Sequence, residues 1–189
     1  NNIAPLHGPI WRTPESISYI VNKYMHWSTY NAEKKGVVIA FGSMYGNTAE
    51  MAQQLAKLLS LRGVTDIRIH DVSKTNPSYI ISDAWKYSHL VCMAPTYNLG
   101  LYLTMENLLH ELQALNFHNH KVSIVGNHSW ASGAMKRMVE YFTEKFNNME
   151  IVGTPLDIKG ALHDEQLPLF EELADAIVAS LEETEIKTF

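Results

Sequence analysis

The sequence predicts an α/β fold: a doubly wound sheet of five parallel strands, preceded by a short helical arm. Three observations carry this. From residue 36 onward, apolar runs alternate five times with segments of helical period. The runs end in clusters of Gly, Asn, Ser, Thr and Pro. The first run, "GVVIAFG", is continuously apolar, as a strand covered on both faces must be.

Each element follows in order. Residues 1 to 35 stand apart, with Pro5, Pro9 and Pro14 in a loop-like start. Thr13 can cap a helix with Pro14 at its first position. Ile17, Ile20, Val21, Tyr24 and Trp27 then recur at helical spacing, and "STYNAEKK" reads as a polar linker. After the first strand, Met51, Ala52, Leu55, Leu58 and Leu59 form a helix stripe that stops at Arg62-Gly63. "DIRIHDV" alternates as a second, more exposed strand, and 77–87 suits a short helix. "HLVCMA" is the third strand. A helix follows through Met105, Leu108, Leu109, Leu112 and Leu115, with Thr104 as its expected cap. "KVSIVG" is the fourth strand, and Met135, Met138, Val139, Phe142 and Phe146 line the next helix. "MEIVGTPLDI" is the fifth strand, interrupted near Gly153-Thr154-Pro155. Phe170, Leu173, Ala174, Ile177, Val178 and Leu181 make the last helix. Strands alternating with helices imply parallel βαβ units with right-handed crossovers.

Composition narrows the function classes. The chain has 189 residues and a net charge of −5, and its densest basic stretch is Lys34-Lys35. Binding a polyanion needs a concentrated basic face, so nucleic acid is not an expected partner. No apolar run reaches the roughly 18 residues of a membrane span. The start, "NNIAPLHGPIWR", lacks the pattern of a signal peptide. It also lacks an initiating Met, which fits a processed or excised piece. The one cysteine, Cys92, lies inside an apolar run and reads as a buried small residue, and a cytoplasmic setting is the expectation.

In a doubly wound sheet, ligands sit beyond the carboxyl ends of the strands. The working loops are therefore 42–48, 95–103 and 126–133. The first holds Gly42, Ser43, Met44, Tyr45, Gly46, Asn47 and Thr48, with no lysine or arginine. Unpartnered N–H groups and the helix dipole can bind an anion there without a cationic side chain. The alternative is plain capping, with Asn47 as N-cap and Glu50 closing a capping box. Other phosphate motifs fail. A P-loop lysine is missing, and two glycines four apart do not make G-x-G-x-x-G. Asp71 reads as a solvated strand end. The second loop, "APTYNLGLYLT", offers Pro95, Thr96, Tyr97, Asn98, Leu99 and Gly100, with Tyr102 beyond. The third, "GNHSWASG", offers Asn127, His128, Ser129, Trp130 and Gly133. Aromatic loops flanking a neutral phosphate pocket suit a flat conjugated ring with a phosphate tail, stacked on Tyr97 or Trp130. The alternative is that the aromatics only cover the core. His118 and His120, at period two, could chelate on one face or simply face solvent.

Together, "SMYGNT", "APTYNLGLY" and "GNHSWASGA" resemble the three flavin loops of flavodoxins. More narrowly, they resemble the flavodoxin-like domain of flavodiiron proteins (A-type flavoproteins), over residues 36 to 182. Tyr45 stands where most flavodoxins have Thr or Ser, and Gly42 replaces a common acid. "LHGPIW" resembles the end of the metallo-β-lactamase-like domain of flavodiiron proteins, where the histidine matching His7 is the last di-iron ligand. The other ligands usually include H-x-E-x-D-H, absent here, so His7 is expected to be a stranded ligand with no metal.

The resemblance implies strand order 2-1-3-4-5. It divides the chain into residues 1–35, the tail of a di-iron domain plus linker, and 36–189, an FMN-binding domain. It implies FMN, with its phosphate on Ser43 to Thr48 and its ring between the second and third loops. A neutral pocket in an acidic protein lowers the potential of the fully reduced step, and a group in Asn98 to Gly100 can bond the ring and favour a one-electron state. It further implies electrons arriving from rubredoxin or an NAD(P)H-dependent reductase and leaving to a di-iron site that reduces O2 or NO, in a head-to-tail homodimer. Two other readings use the same residues: an NAD(P)H-dependent quinone reductase of the same fold, and a flavin-free interaction module.

Overall fold

A computed structural model describes residues 2–189. Helix α1 (Pro14–Ser28) opens on a capping box between Thr13 and Ser16, with Pro14 in its first turn. The sheet strands are β1 (Lys34–Phe41), β2 (Ile67–Asp71), β3 (Tyr87–Tyr97), β5 (Lys121–His128), β6 (Glu150–Ile151) and β7 (Leu156–Lys159), with β4 (Gly100–Leu101) as a short tab. The remaining helices are α2 (Asn47–Leu61), α3 (Pro77–Lys86), α4 (Leu103–Ala114), α5 (Ala134–Glu140) and α6 (Leu167–Glu183).

The parallel sheet runs β2-β1-β3-β5-β6, with β7 also paired to β5 and β4 to β3. The doubly wound α/β fold is as expected, but the strand count is seven rather than five. Two causes account for the difference. The edge position is one strand in two pieces: β6 pairs with Lys121 and Val122, and β7 with Val125 to His128. Between the pieces Gly153 takes φ 72°, and a Cβ there would meet Leu173 at 2.7 Å, so the chain bulges around that side chain. The other extra strand, β4, folds back antiparallel on the end of β3.

Alternation along the central strands explains the continuous apolar runs. Val38, Ala40, Leu90 and Cys92 join Ile80, Leu108, Leu109 and Met138 in the core under α3, α4 and α5. Val37, Ile39, Val91 and Met93 join Met51, Leu55, Phe170 and Ile177 under α2 and α6. Each fully buried aliphatic side chain contributes about 1.5–3 kcal/mol.

Two local expectations change. Thr104 does not cap α4; Tyr102 is the N-cap residue, and the Thr104 hydroxyl lies in the first turn, buried without a partner. The segment after α1 is not a free linker. Tyr30 stacks on His118 with centroids 3.9 Å apart, Ala32 is buried, and Glu33 accepts from Trp27 Nε1 at 2.7 Å. The chain end adds an anchor, with Phe189 edge-on to His26 and its carbonyl oxygen accepting from Asn22 Nδ2. Among the described residues no helix is long and apolar enough to cross a membrane.

Candidate functional site

Strands β1 and β3 end side by side, where Gly42 N donates to Met93 O at 2.8 Å. Gly42 is required by its neighbour: a Cβ there would stand 2.4 Å from the Tyr102 ring. Ser43 Oγ then accepts from Gly46 N at 3.1 Å. Gly46, at φ 96°, is the N-cap residue of α2, and no side chain caps that helix. The capping alternative is thereby corrected. Asn47 is the first helical residue, and Glu50 N bonds the Gly46 carbonyl. Left-handed glycine turns the chain into the helix without a side chain in the way, so the first N–H groups of α2 have no side-chain cap.

Ser43, Met44, Tyr45, Asn47 and Thr48 line a small recess together with Pro95 and Asn127. All three expected loops therefore meet at one place. Asn127 is buried and donates to Ile158 O at 2.9 Å and Gly160 O at 2.7 Å, which fastens the end of β5 to the end of β7.

The second loop is a two-residue hairpin. Asn98 and Leu99 take φ 47° and 61°, and Gly100 and Leu101 pair back onto Tyr97 and Thr96. Two consecutive left-handed residues are the signature of a primed turn, whose twist suits a hairpin. Leu99 is strained there, since its Cβ crowds the backbone, and it is 77% exposed, so burial does not compensate. The third loop locks onto this hairpin. Thr96 Oγ1 accepts from Gly133 N and Ala134 N, both at 3.1 Å, and Gly133 packs against the Leu99 backbone.

Trp130 and Tyr45 are each 90% exposed, and Tyr97 is 41% exposed. Tyr45 lines the recess, whereas Tyr97 and Trp130 do not; exposed rings beside an uncharged cradle offer faces for a flat ligand. A cavity of about 640 Å³ adjoins the hairpin and the end of the third loop, with Glu106, Lys136, Arg137 and Glu140 on its remaining wall. Ser129 lies exposed beside Trp130. The His128 ring faces a carboxylate on β7, with Nε2 3.7 Å from Asp157 Oδ2. Asp157, which sequence reasoning passed over, also accepts from Ser132 Oγ.

The other candidates are placed as follows. Asp71 accepts from Ser73 N at 2.9 Å and pairs with Lys74 at 3.1 Å, a local turn at the strand end. Cys92 is fully buried, and burial pushes its thiol up to about 12. His120 is not solvent-exposed: it is buried, its Nδ1 meets His118 O at 2.7 Å, and desolvation lowers its pKa. His7 sits in the arm, in an apolar groove with Pro5, Pro9, Trp11 and Tyr24. Among the described residues no three His, Cys, Asp or Glu side chains gather as a metal site.

The donor set fits FMN: an uncapped helix N-terminus for a phosphate dianion, no cation in the three loops, and aromatic faces for the ring.

The Flavodoxin family profile matches residues 39–186. An uncharacterised protein of Methanocaldococcus jannaschii is 29% identical over 140 residues, covering 74% of this chain and 35% of its own length. The chain spans less than half the length of the curated relatives it matches. Among solved structures, the rubredoxin oxygen:oxidoreductase of Desulfovibrio gigas superposes with a TM-score of 0.86 at 24% identity, over 96% of this chain and 44% of that one. The flavodiiron protein of Giardia intestinalis superposes at 0.78 with 18% identity, over 93% and 44%. Both likenesses concern the fold. FMN is the cofactor of flavodoxin folds. On the match across 39–186, the chain belongs to the flavodoxin family.

Proposed function

We propose that this chain is the FMN-carrying electron relay of a flavodiiron-type reductase. Residues 36–189 would form the flavin domain, and residues 1–35 the end of a di-iron domain with its connection. The observation that carries the proposal is the N-terminus of α2, reached by three uncharged loops and left without a side-chain cap.

The division of labour follows from the residues. Main-chain N–H groups at the start of α2, with the hydroxyls of Ser43 and Thr48 and the Asn47 amide, hold a phosphate dianion. Met44 and Tyr45 border it, and Gly46 keeps the approach open. Pro95, Thr96, Tyr97, Asn98, Leu99 and Gly100 make one wall of the ring slot. Asn127, His128, Ser129, Trp130 and Gly133 make the other. Bound there, FMN supplies reversible electron transfer in one- or two-electron steps. The left-handed Asn98-Leu99 turn turns backbone groups outward, where they can bond the polar edge of a ring. With no cation in the three loops themselves, they do little to offset negative charge, which lowers the reduction potential; Lys136 and Arg137 stand on the wall of the adjoining cavity.

The fold likeness to a rubredoxin oxygen:oxidoreductase supports a rubredoxin-type donor, an NAD(P)H-dependent reductase being the other source. The acceptor is a di-iron site that reduces O2 or NO, supplied by a neighbouring domain in a head-to-tail pair, in the cytoplasm. His7 is the trace of that site in this chain, without a metal of its own.

Stopped-flow reduction of the FMN-loaded chain tests the proposal. Reduced rubredoxin should bleach the flavin absorbance within seconds, whereas NADH alone should bleach it slowly. Rapid bleaching by NADH alone would favour the quinone-reductase reading. No uptake of FMN would leave an interaction module.

A further inference from the structure

The third loop carries a nearly fully exposed tryptophan, so its own packing does not hold it in place. It needs fastening at both ends. At its far end, the Thr96 hydroxyl takes Gly133 and Ala134. The other fastening comes from the sheet edge. Strand β7 lies beside β5 with Asp157 opposite Gly126. Asp157 Oδ2 accepts from Ser132 Oγ and lies 3.7 Å from His128 Nε2. One carboxylate thus touches the residue where the loop leaves β5 and the residue two positions before α5 begins. Two buried atoms of this cluster lack partners, Asp157 Oδ1 and His128 Nδ1. Buried polar atoms are normally hydrogen-bonded, so both have capacity for a further partner such as an ordered water. The glycine opposite belongs to the same design, since a Cβ on Gly126 would stand 3.0 Å from Asp157 Oδ1.

We infer that Asp157 is a positioning residue for the flavin ring, clamping residues 128–132 so that Trp130 is presented at a fixed place. The inference rests on the FMN reading above. The carboxylate also sets a negative charge beneath the loop, which opposes added negative charge on a ring held there. Shape and charge are separable by substitution. Asp157→Ala removes both. Asp157→Asn keeps the volume and an acceptor for Ser132 while removing the charge.

The test is FMN titration of the apoprotein, followed by Trp fluorescence and redox titration, with urea unfolding as a check on folding. For Asp157→Ala, the FMN Kd should rise about tenfold, a loss of about 1.4 kcal/mol, and the tryptophan emission should shift in the apoprotein. For Asp157→Asn, the Kd should stay within about threefold of wild type and the potential should rise. Ser132→Ala should weaken FMN in the direction of Asp157→Ala without raising the potential. Wild-type Kd and potential in both Asp157 variants would overturn the inference while leaving FMN binding intact. Failure of the wild-type protein to bind FMN would overturn both. If Asp157→Ala does not fold, Ser132→Ala decides the clamp through its FMN Kd, an unchanged Kd overturning it, and Asp157→Asn decides the charge effect through its potential.

Discussion

Gly133 lies flat against the Leu99 carbonyl: a Cβ built on Gly133 would come within 2.6 Å of that oxygen. The contact joins the third loop to the hairpin tip through backbone alone, and no side chain can yield to relieve it. Gly133→Ala should therefore spread the two walls of the proposed ring slot. The expected cost is about 1–3 kcal/mol of stability, the usual range for overpacking, together with a tenfold or greater rise in the FMN Kd (about 1.4 kcal/mol per decade). Urea unfolding and fluorescence titration measure the two effects separately. An alanine variant with wild-type affinity would show that the slot does not depend on this contact.

Leu99 gives a prediction of the opposite sign. It holds φ 61° while largely exposed, so it bears left-handed strain without the compensation of burial. Left-handed backbone costs a non-glycine residue about 1–2 kcal/mol, and glycine gives back part of this in unfolded-state entropy. Leu99→Gly should raise stability by about 0.5–1 kcal/mol, read as a higher urea midpoint at constant m-value. A lower midpoint would mean that the leucine side chain stabilises the turn.

The architecture was legible because its cause is written locally. Strands covered on both faces have no polar side, so 36–42 and 90–94 stand out as unbroken apolar runs, and the helices between them carry one stripe each. Gly153 and Pro155 even marked the break in the edge strand. Of the candidate site, the three strand-end loops are legible in the sequence, and the structure brings Ser43, Thr48, Pro95 and Asn127 of them to one recess. Its finer geometry is not. Asn47 resembles an N-cap by type, but the left-handed glycine before it takes that role. The hairpin at 98–99 has Leu where a primed turn normally has Gly, so no turn motif announced it. The pairing of Asp157 with Ser132 and His128 spans a sheet register that periodicity cannot reveal. The burial of His120 is equally hidden from periodicity: its ring packs on Phe117, three residues earlier, with centroids 4.4 Å apart.

His89 makes the fold acid-sensitive. It is buried between Ser88 Oγ at 2.8 Å and Ser180 Oγ at 3.1 Å. Burial first, then repulsion from Lys121 and from His120 when it is protonated, push its pKa down to about 3. The unfolded chain takes up a proton near the ordinary value of about 6.5, while the folded chain resists it. The stabilisation is therefore complete above about pH 6.5 and is lost as pH falls toward 3. By pH 5 this amounts to about 2 kcal/mol, and His120, lowered in the same direction, adds to it. Urea midpoints between pH 7.5 and 5 check this, and His89→Gln should flatten the profile. An unchanged midpoint across that interval would contradict it.

Cys92 should be inert in the native protein. It is fully buried and its thiol is pushed up to about 12, so both access and thiolate are lacking. A disulfide-exchange reagent should label it no faster than the chain unfolds. Complete labelling of the folded protein within minutes would show that β3 opens locally.

The central claim is that main-chain N–H groups at the start of α2, without any cationic side chain, hold a phosphate dianion. Parallel titration of the apoprotein with FMN and with riboflavin, identical ligands except for that phosphate, addresses it most directly. The account predicts tight FMN binding and riboflavin binding at least about 100-fold weaker, a difference of about 2.7 kcal/mol. Equal affinity for the two, or no binding of FMN, would contradict it.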